Sequence, residues 1–200
     1  DPNPQVDGGG LADLRRAGIG TTIGLLADEA RAQNPGFIKR MAQGVPFFRV
    51  KLAASLDGHT ALDNGDSRWI TGPAARDDVQ HLRARACAVL SGADTVLVDN
   101  PSLTVRINGR GLAVDEHHSD LAQPLRVIID GAGRLNARLK TFALPGNVVI
   151  ATTTKAAPKL APIATSGVDI WAFESPRVPL VKLAERLAEQ GVNEVHTECG

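Results

Sequence analysis

Tyrosine is absent from this 200-residue chain, and aromatic residues make up only 4% of it. Each of the two tryptophans therefore stands out. One of them, Trp69, lies in the polar, glycine-bearing stretch LDNGDSRWITG, which otherwise reads as a surface loop. Neither sign of charge is in excess: Lys plus Arg and Asp plus Glu both number 22. With no net charge, nothing predicts a nucleic-acid or membrane-surface partner. Cysteine is scarce. Cys87 and Cys199 form no close pair and match no zinc spacing, so a disulfide framework is not expected and a reduced, cytoplasmic setting is. No apolar run approaches the ~18 residues of a membrane span. The motifs GxGxxG and GxxxxGK[ST] are missing, and so is an HxE followed by PCxxC. A classical dinucleotide loop, a P-loop and a zinc-deaminase centre are therefore unsupported within these residues.

What is present is a packable chain, 43% hydrophobic. The opening DPNPQVDGGG is polar and proline-rich, unlike a signal peptide. It lacks a methionine, and the chain stops at HTECG just after an alternating apolar run. Both features predict a piece of a longer protein. Residues 1–45 differ from the rest. They suggest short helices, one from Leu11 to Ala17 ended by Gly18 and one from Ala27 to Met41 interrupted at Pro35. From Pro46 onward the pattern alternates. FFRVKLAAS, ACAVLSG, LRVIIDG, NVVIATT, VDIWAFE and EVHTECG read as strands, and GADTVLVDNP as a helical turn or a further strand. A helix capped by Thr71, with Pro73 in its first turn and Val79, Leu82 and Ala86 as its apolar stripe, runs to about Arg85. VPLVKLAERLAEQG forms an amphipathic helix closed by Gly191. Strands alternating with helices predict an α/β fold with a mainly parallel sheet.

In such sheets ligands bind beyond the carboxyl ends of the strands. That rule points to Lys51–Ser55, Ser91–Asp94, Gly131 and Glu198–Gly200. Lys51 is either an edge lysine with its head in water or a ligand contact. Arg76 and Arg83 are seven apart and share a helix face. With Lys51 and Arg106 they would form a cationic cluster suited to phosphate, which arginine holds in a two-pronged pair. From spacing alone, a solvated face paired with Asp77 and Asp78 is the favoured reading. Glu198 and Asp99 are either ligand acceptors or solvated strand-end and turn carboxylates. The histidines at 59, 117 and 118 sit in polar loops and carry little signal.

KLAASLDGHTA, GDSRWITGPAARDDVQHLRARACAVLSGADTVLVDNPSLTVR and ECG, in this order and spacing, resemble the reductase half of the bifunctional riboflavin-biosynthesis deaminase/reductase family. The resemblance covers residues 46–200. Residues 1–45 resemble the tail of the preceding deaminase domain and its connector. It implies a dihydrofolate reductase-like fold, with a mainly parallel sheet and flanking helices, lacking its C-terminal part. It implies NADPH as cofactor, with zinc only in an upstream deaminase domain. The implied reaction reduces 5-amino-6-(5-phosphoribosylamino)uracil to its ribitylamino product. The parent protein would also deaminate the preceding pyrimidine.

Residue by residue, the resemblance implies that Ser67, Arg83, Leu103, Arg106 and Glu198 touch substrate, with Lys51 near the ribose phosphate. Ala53, Trp69, Thr95, Asp99, Gly131 and the glycine-rich loop opening at Gly200 would touch NADPH. The family often has serine at the place of Gly131, so a contact there would come from the backbone. No strong acid or base is evident; Asp99, Lys51 and water are the candidates for supplying a proton. Partners are expected to be the phosphorylated small-molecule substrate and a second copy in a homodimer. Two other readings stay open: a pterin reductase of the same fold, and a non-catalytic binding or assembly domain.

Overall fold

The apolar runs fold as six strands, and helices occupy most of the intervals between them. A computed structural model describes residues 1–67, 69–106 and 122–199. Its elements in chain order are α1 (Gly9–Arg16), α2 (Ala27–Gln33), α3 (Pro35–Gln43), β1 (Phe47–Val50), α4 (Pro73–Arg85), β2 (Ala88–Gly92), α5 (Ala93–Asp99), β3 (Leu125–Ile129), α6 (Lys140–Ala143), β4 (Val148–Thr153), α7 (Ala157–Leu160), β5 (Val168–Phe173), α8 (Leu180–Glu189) and β6 (Glu194–Thr197). The strands form one sheet in the order β1-β6-β2-β3-β4-β5. β2 pairs in parallel with β3 and β6, and β3–β4 and β4–β5 are parallel too. The last strand in sequence thus lies between β1 and β2. That insertion brings Glu198, Lys51 and the end of β2 to one rim of the sheet.

The chain divides into two compact units. One comprises Asp1–Phe47 with Ala184–Asn193, the other Phe48–Leu183 with Glu194–Gly200. In the first, α1 and α2 bury no residue. Pro35 starts a new helix, as its missing N–H and fixed φ favour. α3 docks on the turn at Asn193, where Arg40 Nε donates to Asn193 Oδ1 at 2.6 Å. Gly36 permits this approach, since a Cβ there would meet the Asn193 carbonyl at 2.7 Å.

In the second unit β4 is buried at every position, as a strand covered on both faces must be. Val89, Val96, Ile128, Ile150 and Leu160 form the centre of the core. Each such side chain contributes about 1.5–3 kcal/mol on burial. GADTVLVDNP resolves as the helix α5, ended by Asn100 in the left-handed region.

Two details of α4 differ from the expected ones. Its N-cap is Gly72, with no side-chain cap, and the Thr71 carbonyl instead accepts from Arg76 Nη1 at 2.7 Å. Of the expected stripe, Ala86 at the C-cap is buried while Val79 and Leu82 are half-buried, and the one buried residue within the helix is Arg83. The helix turns a charge inward, which is tolerated only when the charge is paired.

Candidate active site

The strand ends open into a cavity of about 780 Å³, within the size range of small-molecule sites. Of the residues expected to contact ligands, Lys51, Ala53, Ser67, Trp69, Arg83, Thr95, Asp99, Leu103, Arg106 and Glu198 all line it. Gly131 does not. It lines a separate cavity of about 260 Å³ beyond β3, β4 and β5. Gly200 lies outside the described residues, as do His117 and His118.

Glu198 is the anchor of the cavity. Its N–H donates to the Leu90 carbonyl at 2.8 Å, and its own carbonyl accepts from Ser91 Oγ at 2.7 Å. Both bonds extend the β2–β6 ladder past its end and fix the residue at the rim. The carboxylate meets Arg83 in a two-pronged pair. Arg83 Nε donates to Oε1 at 2.5 Å and Nη2 to Oε2 at 2.8 Å. Arg83 Nη1 donates to the Thr104 carbonyl at 3.0 Å. The pair is nearly sequestered, with side-chain exposures of 8% for Arg83 and 14% for Glu198. Burial pushes the Glu198 carboxyl upward, but the hydrogen bonds and charge of Arg83 outweigh it, with a smaller downward push from the neighbouring His196. The net result is a fall from 4.5 to about 2. Glu198 is thus a fixed anion at neutral pH.

With Glu198 balanced by Arg83, the remaining charges on the cavity wall are unequal. Lys51, Arg76, Arg106 and Lys140 face it against Asp99. Arg106 is exposed. Burial and the neighbouring Arg83 both lower its pKa, and Glu198 opposes them. The site therefore carries surplus positive charge suited to an anion. Trp69 is 72% exposed, and the Arg76 guanidinium carbon sits 4.5 Å from its ring centroid. This is a cation–π contact between two residues of the cavity wall. Leu103 has φ of +53° and is 1% exposed, with its side chain in the core cluster. A left-handed leucine costs of order 1–3 kcal/mol, and it leaves mainly the main chain for a ligand.

Lys140 and Asn100 line the cavity and carry no signal in sequence. Lys140 is far along the chain from the other cations; its N–H is tied to Asn100 Oδ1 at 2.8 Å, and Asn100 lines the same wall. His196 is fully buried with Nε2 3.4 Å from Glu198 Oε1. Its spacing of two residues from Glu198 was the available clue, since alternate residues of a strand share a face. Among the described residues no cluster of His, Cys, Asp and Glu is suited to a metal ion, and no helix is long and apolar enough to cross a membrane.

Fold and site together define a parallel α/β domain with a cationic, aromatic-walled cleft over the carboxyl ends of its strands. The chain belongs to the family described as the RibD C-terminal domain, whose model matches residues 46–200. Its fold is of the dihydrofolate reductase-like kind found in RibD structures. It is 39% identical to riboflavin biosynthesis protein RibD of Escherichia coli K12, over all of this chain and 54% of that protein. Acinetobacter baumannii RibD aligns with a TM-score of 0.82 at 41% identity, covering 100% of this chain and 52% of that one. A Thermotoga maritima diaminohydroxyphosphoribosylaminopyrimidine deaminase/5-amino-6-(5-phosphoribosylamino)uracil reductase aligns at 0.79 and 31%, covering 100% and 51%. The chain thus spans about half the length of the relatives that it matches end to end.

Proposed function

We propose that residues 46–200 form the NADPH-dependent 5-amino-6-(5-phosphoribosylamino)uracil reductase domain of a riboflavin-biosynthesis protein. In this reading residues 1–45 are the tail and connector of a preceding deaminase domain, where zinc would be held. The parent is a cytoplasmic homodimer. The observation that carries the reading is the pairing of surplus cationic side chains with a flat, exposed indole in one cleft. A phosphorylated ribosylaminopyrimidine and a dinucleotide both need an anion site, and both need an apolar surface for a ring.

The residues present fit the cofactor. Trp69 offers the face of its ring, Thr95 and Asp99 on α5 offer polar atoms, and Ala53 leaves room beside β1. When bound, the nicotinamide supplies hydride to C1′ of the sugar. Lys51 and Arg106 hold the substrate phosphate. Glu198, kept ionised by Arg83, accepts hydrogen bonds from ring N–H or sugar hydroxyl groups and so orients the acceptor carbon. A carboxyl group near 2 cannot donate a proton at neutral pH, which removes Glu198 as the general acid. Lys51, Asp99 and water stay as candidate proton sources. Main-chain groups at Gly131 would contact the far part of NADPH, with the loop opening at Gly200 contributing further contacts.

The test is spectrophotometric. NADPH oxidation that depends on the phosphoribosylaminouracil, with dihydrofolate inert, is the expected result. Turnover of dihydrofolate at a comparable rate would replace the reading with a pterin reductase. Absence of both activities, in this chain and in its full-length parent, would favour a binding or assembly role.

Trp69→Ala separates cofactor binding from folding. The side chain is mostly exposed, so the melting temperature should stay within a few degrees. NADPH affinity, by calorimetry, should fall by about tenfold, as a lost stacking contact of 1–2 kcal/mol implies. Unchanged affinity with a lower melting temperature would make Trp69 a packing residue instead.

A further inference from the structure

His196 is completely buried in β6, and neither ring nitrogen has a hydrogen-bond partner within usual limits. An apolar side chain would fill that volume without burying polar atoms. The ring instead lies beside the anchor of the cavity. His196 and Glu198 are two residues apart, hence on one face of the strand direction, and Nε2 stands 3.4 Å from Glu198 Oε1. Arg83 Nε uses that same oxygen, and Arg83 Nη2 uses Oε2. The charged group beside the imidazole is Glu198 on its own strand end, which Arg83 from α4 binds in turn.

We infer that His196 is a positioning residue for Glu198, with the proton carried on Nε2, the ring nitrogen that faces Oε1. Of its two neutral forms, only the Nε2–H tautomer places a donor toward the carboxylate; the other opposes two lone pairs. Arg83 alone fixes the carboxylate along one edge. The imidazole adds a contact from the strand itself, which restrains rotation about the last side-chain bond and leaves the unused lone pairs facing the cavity. Loss of this contact also raises the carboxyl pKa, since His196 is among the groups that lower it. The inference rests on the reading of Glu198 as a substrate-orienting carboxylate, but its physical content can be measured without turnover.

Two NMR measurements on the 200-residue chain decide it. Ring ¹⁵N shifts of His196 in the unaltered protein are expected to show Nε2 protonated and Nδ1 bare at neutral pH. The opposite tautomer, or a cationic ring, would overturn the inference. Carboxyl ¹³C titration of Glu198 is expected to move to higher pH in His196→Leu and to return in His196→Gln, whose amide N–H reaches the same oxygen. An unmoved Glu198 titration in a folded His196→Leu protein overturns it equally. If that variant fails to fold, the tautomer measurement decides alone. Binding of the phosphoribosylaminouracil should weaken about tenfold in His196→Leu and recover in His196→Gln, with NADPH affinity unchanged. No substrate binding by unaltered protein would count against the proposed function, and the two NMR results would still stand for or against His196.

Discussion

Replacing Arg83 with alanine should remove about 3–5 kcal/mol of folding stability at neutral pH. The cost does not come from a lost surface charge. Arg83 is 7% exposed, and it supplies three hydrogen bonds, two to Glu198 and one to the Thr104 carbonyl. Alanine leaves a nearly buried carboxylate without its principal partner, and the remaining His196 contact at 3.4 Å is too long to replace it. Urea denaturation of the two proteins measures the difference; a loss below about 1 kcal/mol would mean that water reaches Glu198 freely. The double variant Arg83→Met with Glu198→Leu should recover much of the stability, because removing both charges also removes the unpaired one. Turnover would not recover. Stability and function separate in that variant, as expected if the pair exists for the site rather than for the fold.

The same pair sets an acid limit. Glu198 titrates at about 2 when folded against 4.5 ordinarily, so its carboxylate favours the folded state. The contribution is complete above pH 4.5 and disappears as pH falls from there toward 2. Its size is on the order of 3 kcal/mol. Arg83→Ala should flatten this limb of the stability curve while lowering its plateau.

The strands were readable because the apolar runs are short, bounded by polar turns, and spaced by helical segments. A parallel sheet then places its strand ends at one rim, which is why Lys51 and Glu198 could be placed on one cavity wall; Asp99 and Arg106 were assigned there by the family resemblance, and Gly131, also at a strand end, lines a different cavity. What local reading could not supply was pairing. Arg83 and Glu198 are 115 residues apart, and each looks like a free ligand group until β6 inserts between β1 and β2. Helical periodicity likewise favoured Val79, Leu82 and Ala86 as the inward face of α4, and of these Ala86, the C-cap just past the helix, is buried. The buried position within the helix went to Arg83, because a carboxylate and a carbonyl were waiting there. Thr71 has the chemistry of a cap, yet Gly72 occupies the cap and the Thr71 carbonyl serves Arg76. In each case a partner distant in sequence outweighed the local preference.

Arg126→Met should be the other strongly destabilising change, by about 3–5 kcal/mol, although LRVIIDG reads as an ordinary apolar strand. Arg126 is 0% exposed in the middle of the sheet and has no carboxylate partner among the described residues. Its guanidinium gathers main-chain oxygens: Nη1 donates to the Thr141 carbonyl at 2.5 Å, and Nη2 is shared among those of Leu144, Pro145 and Gly146 at 3.0, 3.0 and 2.6 Å. These are the carbonyls that the short helix α6 and its exit leave without intrahelical partners. Burial lowers the pKa of Arg126 but does not bring an arginine near neutrality. The charge is thus offset by four carbonyl dipoles, and methionine would fill the volume while leaving those oxygens unmet. The consequence reaches the site, because the strapped turn carries Lys140 and Leu144 into the cavity wall. Hydrogen exchange of residues 140–146 should quicken in Arg126→Met more than that of β4, and affinity for the phosphorylated substrate should drop in the protein that stays folded. Equal stability of the two proteins, or exchange that quickens uniformly, would mean that α6 is held by its own packing and that Arg126 is not its strap.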